Sequence, residues 1–398
     1  MLRSLYSGIS GLRAHQTMLD VAGNNIANVN TTAYKGSATQ FQDTLSQLSQ
    51  AAGGPQTTVG GTNPAQVGLG VRVAGISTNF AQGSAQTTGR GTDVMISGDG
   101  FFVTQMGGQT IYTRDGSFSP DASGRLVTAN GAIVQGWPAV NGQVVQGGTV
   151  GDITLPNQAV TPAVATTAAS MSGNLPSDAA SGTVIVRDIN VYDAAGIARK
   201  LSLTFTSTGP GAWNVSGDDG SGAVAGTMTA SGGTSTFTTS GSMTAAGAFT
   251  VGGVTVDLSK LTGFAGMSTS TIDSQNGLQA GTLESWTMAK DGTIVGSFSN
   301  GASEALGKIV LATFVNPGGL QKSGASGYQT TFNSGPAQIG SAGSPGMGTL
   351  DAGSLEMSNV DLSQEFTNLI VAQRGFQANA RIITTSDQVL QELVDLKR

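Results

Sequence analysis

Residues 361–397 read DLSQEFTNLIVAQRGFQANARIITTSDQVLQELVDLK. Leu362, Leu369, Phe376, Ile383 and Leu390 recur every seven positions, and Ile382, Val389 and Leu396 form a second row beside them. Phe366, Leu393 and Val394 widen the stripe. The stretch has no proline and a single glycine, Gly375. Apolar residues sustained at a period of seven predict one long helix with a seam of coiled-coil type. Asn359 or Asp361 can cap its start, and Lys397 and Arg398 suit the negative end of its dipole.

The opposite end of the chain repeats the pattern. Leu5, Leu12, Leu19 and Ile26 are spaced by seven, and Leu2 and Ile9 join the same face. This second helix stops in the run Asn24 to Asn30, where repeated asparagine offers the backbone competing hydrogen bonds. Between the two helices the reading changes. From about Val71 to Ala139, and again from Leu283 to Val315, short β-rich runs alternate with Asp115-Gly116, Asn130-Gly131, Asn141-Gly142, Asp291-Gly292 and Asn300-Gly301. These dipeptides predict tight hairpins with φ > 0 at both central positions. Thr183 to Val186 and the strictly alternating Leu201 to Phe205 belong to a second β region, in which 217–250 is mostly Gly, Ser, Thr and Ala.

The predicted fold class is therefore α+β and mostly β, with a nested order. Residues 1–30 and 361–398 form a terminal helical coiled-coil domain, and 31–70 a connecting segment. Residues 71–146 and 284–360 form a first β domain, interrupted by a second at 147–283. The connecting segment holds a short amphipathic turn (Phe41, Leu45, Leu48) and a flexible Gly/Thr/Pro stretch, Gly53 to Pro64; the Gly-rich joints near 147 and 281 are further candidate hinges.

Composition narrows the function. Of 398 residues, 60 are glycine and only 11% are charged, against ~25% in ordinary globular chains. The net charge of −6 argues against nucleic acid, which needs clustered Lys and Arg. The absence of cysteine excludes disulfides and thiolate chemistry. No run approaches the roughly 18 apolar residues of a membrane span, and the start shows no signal-peptide pattern, so a cytosolic chain is expected unless export takes another route. His15 is the sole histidine, which rules out a histidine pair for zinc and reads as a packing residue. Asp115, Ser117, Ser119 and Asp121 faintly suggest a calcium loop but lack its later Glu, and a hairpin turn accounts for them better. Phe101, Phe102, Trp137, Trp213 and Trp286 are expected in β-domain cores. No pair of carboxylates is placed for acid–base work, and neither an enzyme nor a cofactor is expected.

A helix with a clean apolar seam has to bury it. One solution is an intramolecular pair that completes an ordinary core. The other is a seam completed by many copies, because heterologous contacts build open helical polymers. The polymerisation seam on this second reading is Leu2, Leu5, Ile9, Leu12, Leu19, Ile26, Leu362, Phe366, Leu369, Phe376, Ile383 and Leu390.

Long ordered motifs favour the second reading. Leu19 to Gly36 (LDVAGNNIANVNTTAYKG) closely resembles the N-terminal signature of the flagellar rod and hook axial proteins. Leu355 to Leu362 and Ile370 to Asn379 resemble that family's C-terminal signature, and Gly89 to Val103 its shared first β domain. Ala33 stands where the family often has glycine. The resemblance implies a structural subunit exported uncleaved through the flagellar type III apparatus, with the terminal helices lining a tube and the second β domain outermost. It implies self-association and contacts with the distal rod protein, a hook cap protein and a hook–filament junction protein. The extra β region of 147–283, with Gly68 to Ile76, points within the family to the hook; a distal rod subunit is the nearer alternative and a secreted β-rich adhesin the more distant.

Overall fold

The computed structural model describes residues 2–54, 57, 60–140, 142–155, 159–220, 223–231, 234–238 and 247–395. The chain forms two compact units: Met1–Pro156 with Thr287–Val295 and Ala305–Arg398, and Asn157–Trp286 with Gly296–Glu304.

In the first unit, helix α1 spans Leu2–Ala27 and helix α2 spans Leu362–Asp395. Asp361 caps α2: its Oδ1 accepts from the N–H groups of Ser363 at 2.8 Å and Gln364 at 3.3 Å. Asn359 does a different job, described below. Leu396, Lys397 and Arg398 lie outside the described residues.

The β part of this unit is an antiparallel sheet. Its order is Gln321–Gly324, Gly327–Gln329, Gln109–Thr113, Phe101–Met106, Ile133–Val140 and Ser303–Thr313. Phe101, Val103, Tyr112, Trp137, Val310, Ala312, Phe314 and Tyr328 fill its core. Edge-to-face aromatic contacts join them, with Tyr112 and Phe314 ring centres 4.9 Å apart. Segments far apart in sequence meet in two further ladders: Val94–Ser97 with Thr349–Ala352, and Ala85–Thr87 with Ser354–Glu356.

Several sequence expectations change here. The connecting segment contains no amphipathic helical turn: Ser37–Asp43 pairs with Val71–Thr78, and Ser46–Gln50 with Ala65–Gly68. Phe41, Leu45 and Leu48 are exposed on these ribbons. Their spacing of 3–4 mimics a helical face, but β-pairing to 65–78 overrides it. Of the stretch 53–64, residues 55, 56, 58 and 59 lie outside the described residues, and Gly53 bridges Thr62. The first unit also runs to about residue 156 rather than 146, because Gly151–Asp152 pairs with Ile133–Val140 and buries Ile153 and Leu155.

The turns are of another kind than expected. Among Asn130-Gly131, Asp291-Gly292 and Asn300-Gly301, only the glycine has positive φ. In each, the glycine N–H bonds three residues back, as in Gly292 to the Ala289 carbonyl at 3.0 Å, and the Asn or Asp oxygen caps the N–H two residues on. These are three-residue loops closed by a left-handed glycine, which need one positive φ rather than two. Gly116 is required for space: a Cβ there would lie 1.7 Å from the Val94 carbonyl oxygen.

The second unit has its own core. Val184–Tyr192, Ala198–Gly209, Ala212–Asp218, Val224–Ser231 and Thr234–Thr238 form an antiparallel meander. Ala248–Val251, Val254–Thr262, Ala168–Asn174 and Thr271–Gln275 form a second sheet, in which Ala168–Asn174 runs parallel to Val254–Thr262. Leu201, Leu203 and Phe205 alternate inward to meet Trp213, Phe249, Val256 and Leu258. Trp286 is only half-buried. Of 217–250, residues 221, 222, 232, 233 and 239–246 lie outside the described residues.

Candidate assembly surface of the helix pair

The two terminal helices lie antiparallel against each other within one chain. Ser4 Oγ is 3.5 Å from Ser386 Oγ, and Asn25 Nδ2 donates to Glu365 Oε1 at 3.0 Å at the other end. Small residues set the closest approach. A Cβ on Gly8 would stand 3.3 Å from Ile383, one on Gly11 2.7 Å from the Asn379 amide, and one on Gly375 2.5 Å from the His15 ring. Glycine inside a helix costs about 1 kcal/mol relative to alanine, and here that cost is met by contact between the helices. His15 is half-buried, touching Gly375 and meeting Phe41 edge-on at 5.7 Å.

The expected seam is therefore only partly closed by the chain itself. Leu5, Leu12, Leu19, Ile26, Leu369, Phe376, Ile383 and Leu390 are half-buried, whereas Ile9, Leu362 and Phe366 are exposed. The side chain of Leu2 lies outside the described residues. The row buried most deeply on α2 is a different one, Ala372 and Ser386 with half-buried Glu365 and Asn379, also spaced by seven. Sequence reasoning missed it because it looked for large apolar residues; Gly8, Gly11 and Gly375 inside helices were the available signal. Outside the pair, Phe366 is 53% exposed and Ile370 55%, and Val371, Ile382, Val389 and Val394 are exposed as well.

A polar joint ties both helices to the β part of the first unit. The Asn25 side chain, 1% exposed, makes four hydrogen bonds: Oδ1 accepts from the Ser37 N–H and the Tyr34 hydroxyl, and Nδ2 donates to the Ser37 carbonyl and Glu365. Asn359 accepts from the Gly36 N–H and donates to the carbonyls of Asn79 and Ala81. Beneath them, Lys35 Nζ is 2.7 Å from Glu356 Oε1 and also donates to the Ala81 carbonyl. Arg114 lies 3.6 Å from the other Glu356 oxygen and over the Phe101 ring. Burial holds the Lys35 ammonium below its usual range, which Glu356 partly offsets. Burial, reinforced by the Glu365 charge, raises the Tyr34 phenol.

Ala33 closes the joint. Its φ is +56°, it is fully enclosed, and its N–H donates to the Glu356 carbonyl at 2.8 Å. Glycine would reach this left-handed conformation without the Cβ penalty that Ala33 bears. No group of three or more His, Asp or Glu residues that could hold a metal ion occurs among the described residues. No described helix is long and apolar enough to cross a membrane.

Family models match residues 5–35 and, between them, 95–396. The family model described as Flagella basal body rod protein matches residues 5–35, and Flagellar hook protein FlgE/F/G D1 domain matches 95–168. Flagellar basal body protein FlaE D2 domain matches 154–367, and Flagellar basal body rod FlgEFG protein C-terminal matches 351–396. The flagellar hook protein FlgE of Borreliella burgdorferi is 40% identical, over all of both chains. That of Salmonella typhimurium is 38% identical, over 99% of this chain and all of the relative. The chain belongs to the flagellar hook protein family. It is a structural subunit of the flagellum, of a family not known as enzymes. The rod alternative is less favoured: the basal-body rod protein FlgG of Bacillus subtilis is 33% identical over the full length of both. The crystal structure of Helicobacter pylori flagellar hook protein FlgE2 shares the fold, with a TM-score of 0.52 at 14% identity over 68% of this chain and all of that one. In the hook family chain, the N-terminal signature 19–36 supplies Asn25, Tyr34 and Lys35 to the joint. The C-terminal signature supplies Glu356 and Asn359. The two motifs are two halves of one hydrogen-bonded structure.

Proposed function

We propose that this hook subunit polymerises into a curved, flexible tube, a universal joint that carries torque from rod to filament. The observation that carries this reading is the exposed apolar side chains on two sides of α2: Phe366 and Ile370 on one, Val371, Ile382 and Val389 on the other. Exposed apolar surface of that kind marks an association surface. In the polymer, seams from neighbouring copies close over these residues and over the half-buried Leu5, Leu12, Leu19, Phe376 and Ile383, forming a multi-stranded coiled coil around a central channel. Full burial of an exposed side chain of this size contributes roughly 1.5–3 kcal/mol, and these residues, already covered in part, contribute a fraction of that each. The second unit, poor in charge, is the outer domain and makes weaker contacts that rearrange as the tube turns.

The partners on this reading are further copies of the chain, the distal rod protein below, the hook cap protein during growth and the hook–filament junction protein above. Export runs through the flagellar type III apparatus without cleavage. The test is electron microscopy of hooks from cells carrying Phe366→Asp with Ile370→Asp. Absence of hooks, with the secreted subunit folded, is the expected result; hooks of normal number and shape overturn the reading.

A further inference from the structure

A hairpin of the first unit carries two unlike surfaces at its two ends. Its strands are Gln321–Gly324 and Gly327–Gln329. At the open end, the loops 315–320 and 331–335 are fastened together. Asn316 Nδ2 donates to the Asn333 carbonyl at 2.9 Å, and Thr331 Oγ1 to the Gly319 carbonyl at 2.6 Å. Phe332, at 110% of its reference exposure, and Val315, at 77%, are carried on these two joined loops. A fully exposed aromatic is the kind of residue that anchors interfaces.

The closed end is a socket. The turn residues Ala325 and Ser326 have φ of 48° and 54°, held by Thr113 donating to the Ser326 carbonyl and by Ser326 donating to the Thr32 carbonyl. This turn walls a cavity of about 470 Å³ lined by Tyr34, Ile111, Ala129, Ala132 and Tyr328, with Lys322 among its polar groups. A cavity of that size accepts an aromatic side chain with a neighbour. At ~3.3 Å per residue the two ends of the hairpin are roughly 15 Å apart.

We infer that Phe332 and Val315 of one copy seat in the cavity beside the 325–328 turn of the next copy, a head-to-tail contact that repeats along a row of subunits. This rests on the polymer reading above and adds to it a specific contact outside the helices. A second copy is the occupant because the chain belongs to a self-polymerising family and because knob and socket are different patches at opposite ends of one hairpin. Such a heterologous pair does not close on itself and propagates as an open row.

The chain has no cysteine, so two can be added cleanly. Ala129→Cys lies on an exposed position at the cavity rim, and Phe332→Cys replaces the knob. Polymers of the double variant, oxidised, should run as a ladder of covalent oligomers on a non-reducing gel, and each single variant as monomer. Polymers without a ladder overturn the contact. If the double variant does not assemble, hydroxyl-radical labelling of the unmodified chain decides: labelling of Phe332 several-fold lower in polymer than in monomer supports the contact, and equal labelling overturns it. An unmodified chain that never polymerises overturns the proposed function and this contact with it.

Discussion

The Lys35 ammonium lies 2.7 Å from the Glu356 carboxylate, and neither side chain exposes any surface. Arg114, also buried, faces the second oxygen of the same carboxylate. One anion thus serves two cations at the point where both helices join the β part of the first unit. Removing it leaves two buried positive charges, which costs about 3–5 kcal/mol. Lys35→Met leaves the Arg114–Glu356 pair in place and fills the volume with an apolar chain, so its loss should be clearly smaller. Denaturant midpoints of Glu356→Gln and Lys35→Met measure both. Equal losses would show that Arg114 takes no part.

The exposed and half-buried apolar residues of the helix pair should separate in experiment. Phe366→Asp and Ile370→Asp alter exposed positions, so monomer stability should change by no more than about 0.5 kcal/mol. Leu12→Asp and Phe376→Asp put a charge into a partly closed interface and should lower the melting temperature of the monomer as well as block assembly. Circular dichroism melts of the four monomers, set beside their yield of polymer, test this. A large melting shift in the first two would mean that their faces are already covered in the single chain.

The alkaline limit of stability should be set by tyrosines. Burial, with a further contribution from Tyr34, pushes the Tyr328 phenol well above its ordinary 10.0. Burial raises Tyr34 and Tyr112 too. A tyrosine raised in the folded state keeps its proton after the unfolded chain has lost it. The stability it contributes is complete below pH 10 and declines as pH rises above that value. Lys35 and Lys322, lowered by burial, act with the opposite sign at pH values just below 10.5. Tyr328→Phe should therefore flatten the fall in melting temperature between about pH 10 and 12 relative to the unmodified chain. An unchanged slope would remove Tyr328 from the account.

The two helices and most strands were legible because their patterns are local. Period seven placed α2, and the alternation of Leu201, Leu203 and Phe205 placed a strand whose alternate residues are buried. The helix contact was not legible in the same way. It runs through Gly8, Gly11, Gly375 and Asn379, whose small size matters only once a partner 360 or so residues away is known. The ion cluster was equally hidden. Lys35, Arg114 and Glu356 are scattered in the sequence, and only the ladders near residues 85–97 and 349–356 bring them together. Phe41 and Leu48 misled because their spacing suits a helix while their pairing partners lie at 65–78.

Ala33 offers a test of backbone strain. A non-glycine residue in the left-handed region costs roughly 1 kcal/mol, and the enclosed methyl returns a similar amount by burial. Ala33→Gly should thus change stability by less than about 1 kcal/mol. Ala33→Val adds β-branching at positive φ in a filled space and should lose about 2 kcal/mol or more. If valine were tolerated as well as glycine, the conformation at +56° would not constrain the joint.

The second unit should be removable. Among the described residues, eighteen buried apolar ones from Ala169 to Leu261 form a core of their own, and Lys35, Arg114, Glu356 and the helix contacts all belong to the first unit. The excision should end at 286, because Asp291 bonds Lys308 at 2.9 Å and losing it would leave a buried ammonium unpaired. A chain lacking 157–286, the larger of the two segments of the second unit, with the ends joined by a Gly-containing linker, should be secreted with both helices intact and should still polymerise. On the proposed tube its hooks should differ in curvature or stiffness, because the contacts that reading assigns to the second unit are gone. Electron micrographs and the persistence length of polymers from the excised chain give the answer. Hooks of unchanged shape would assign bending to the first unit alone, and complete loss of polymer would place the second unit within the wall itself.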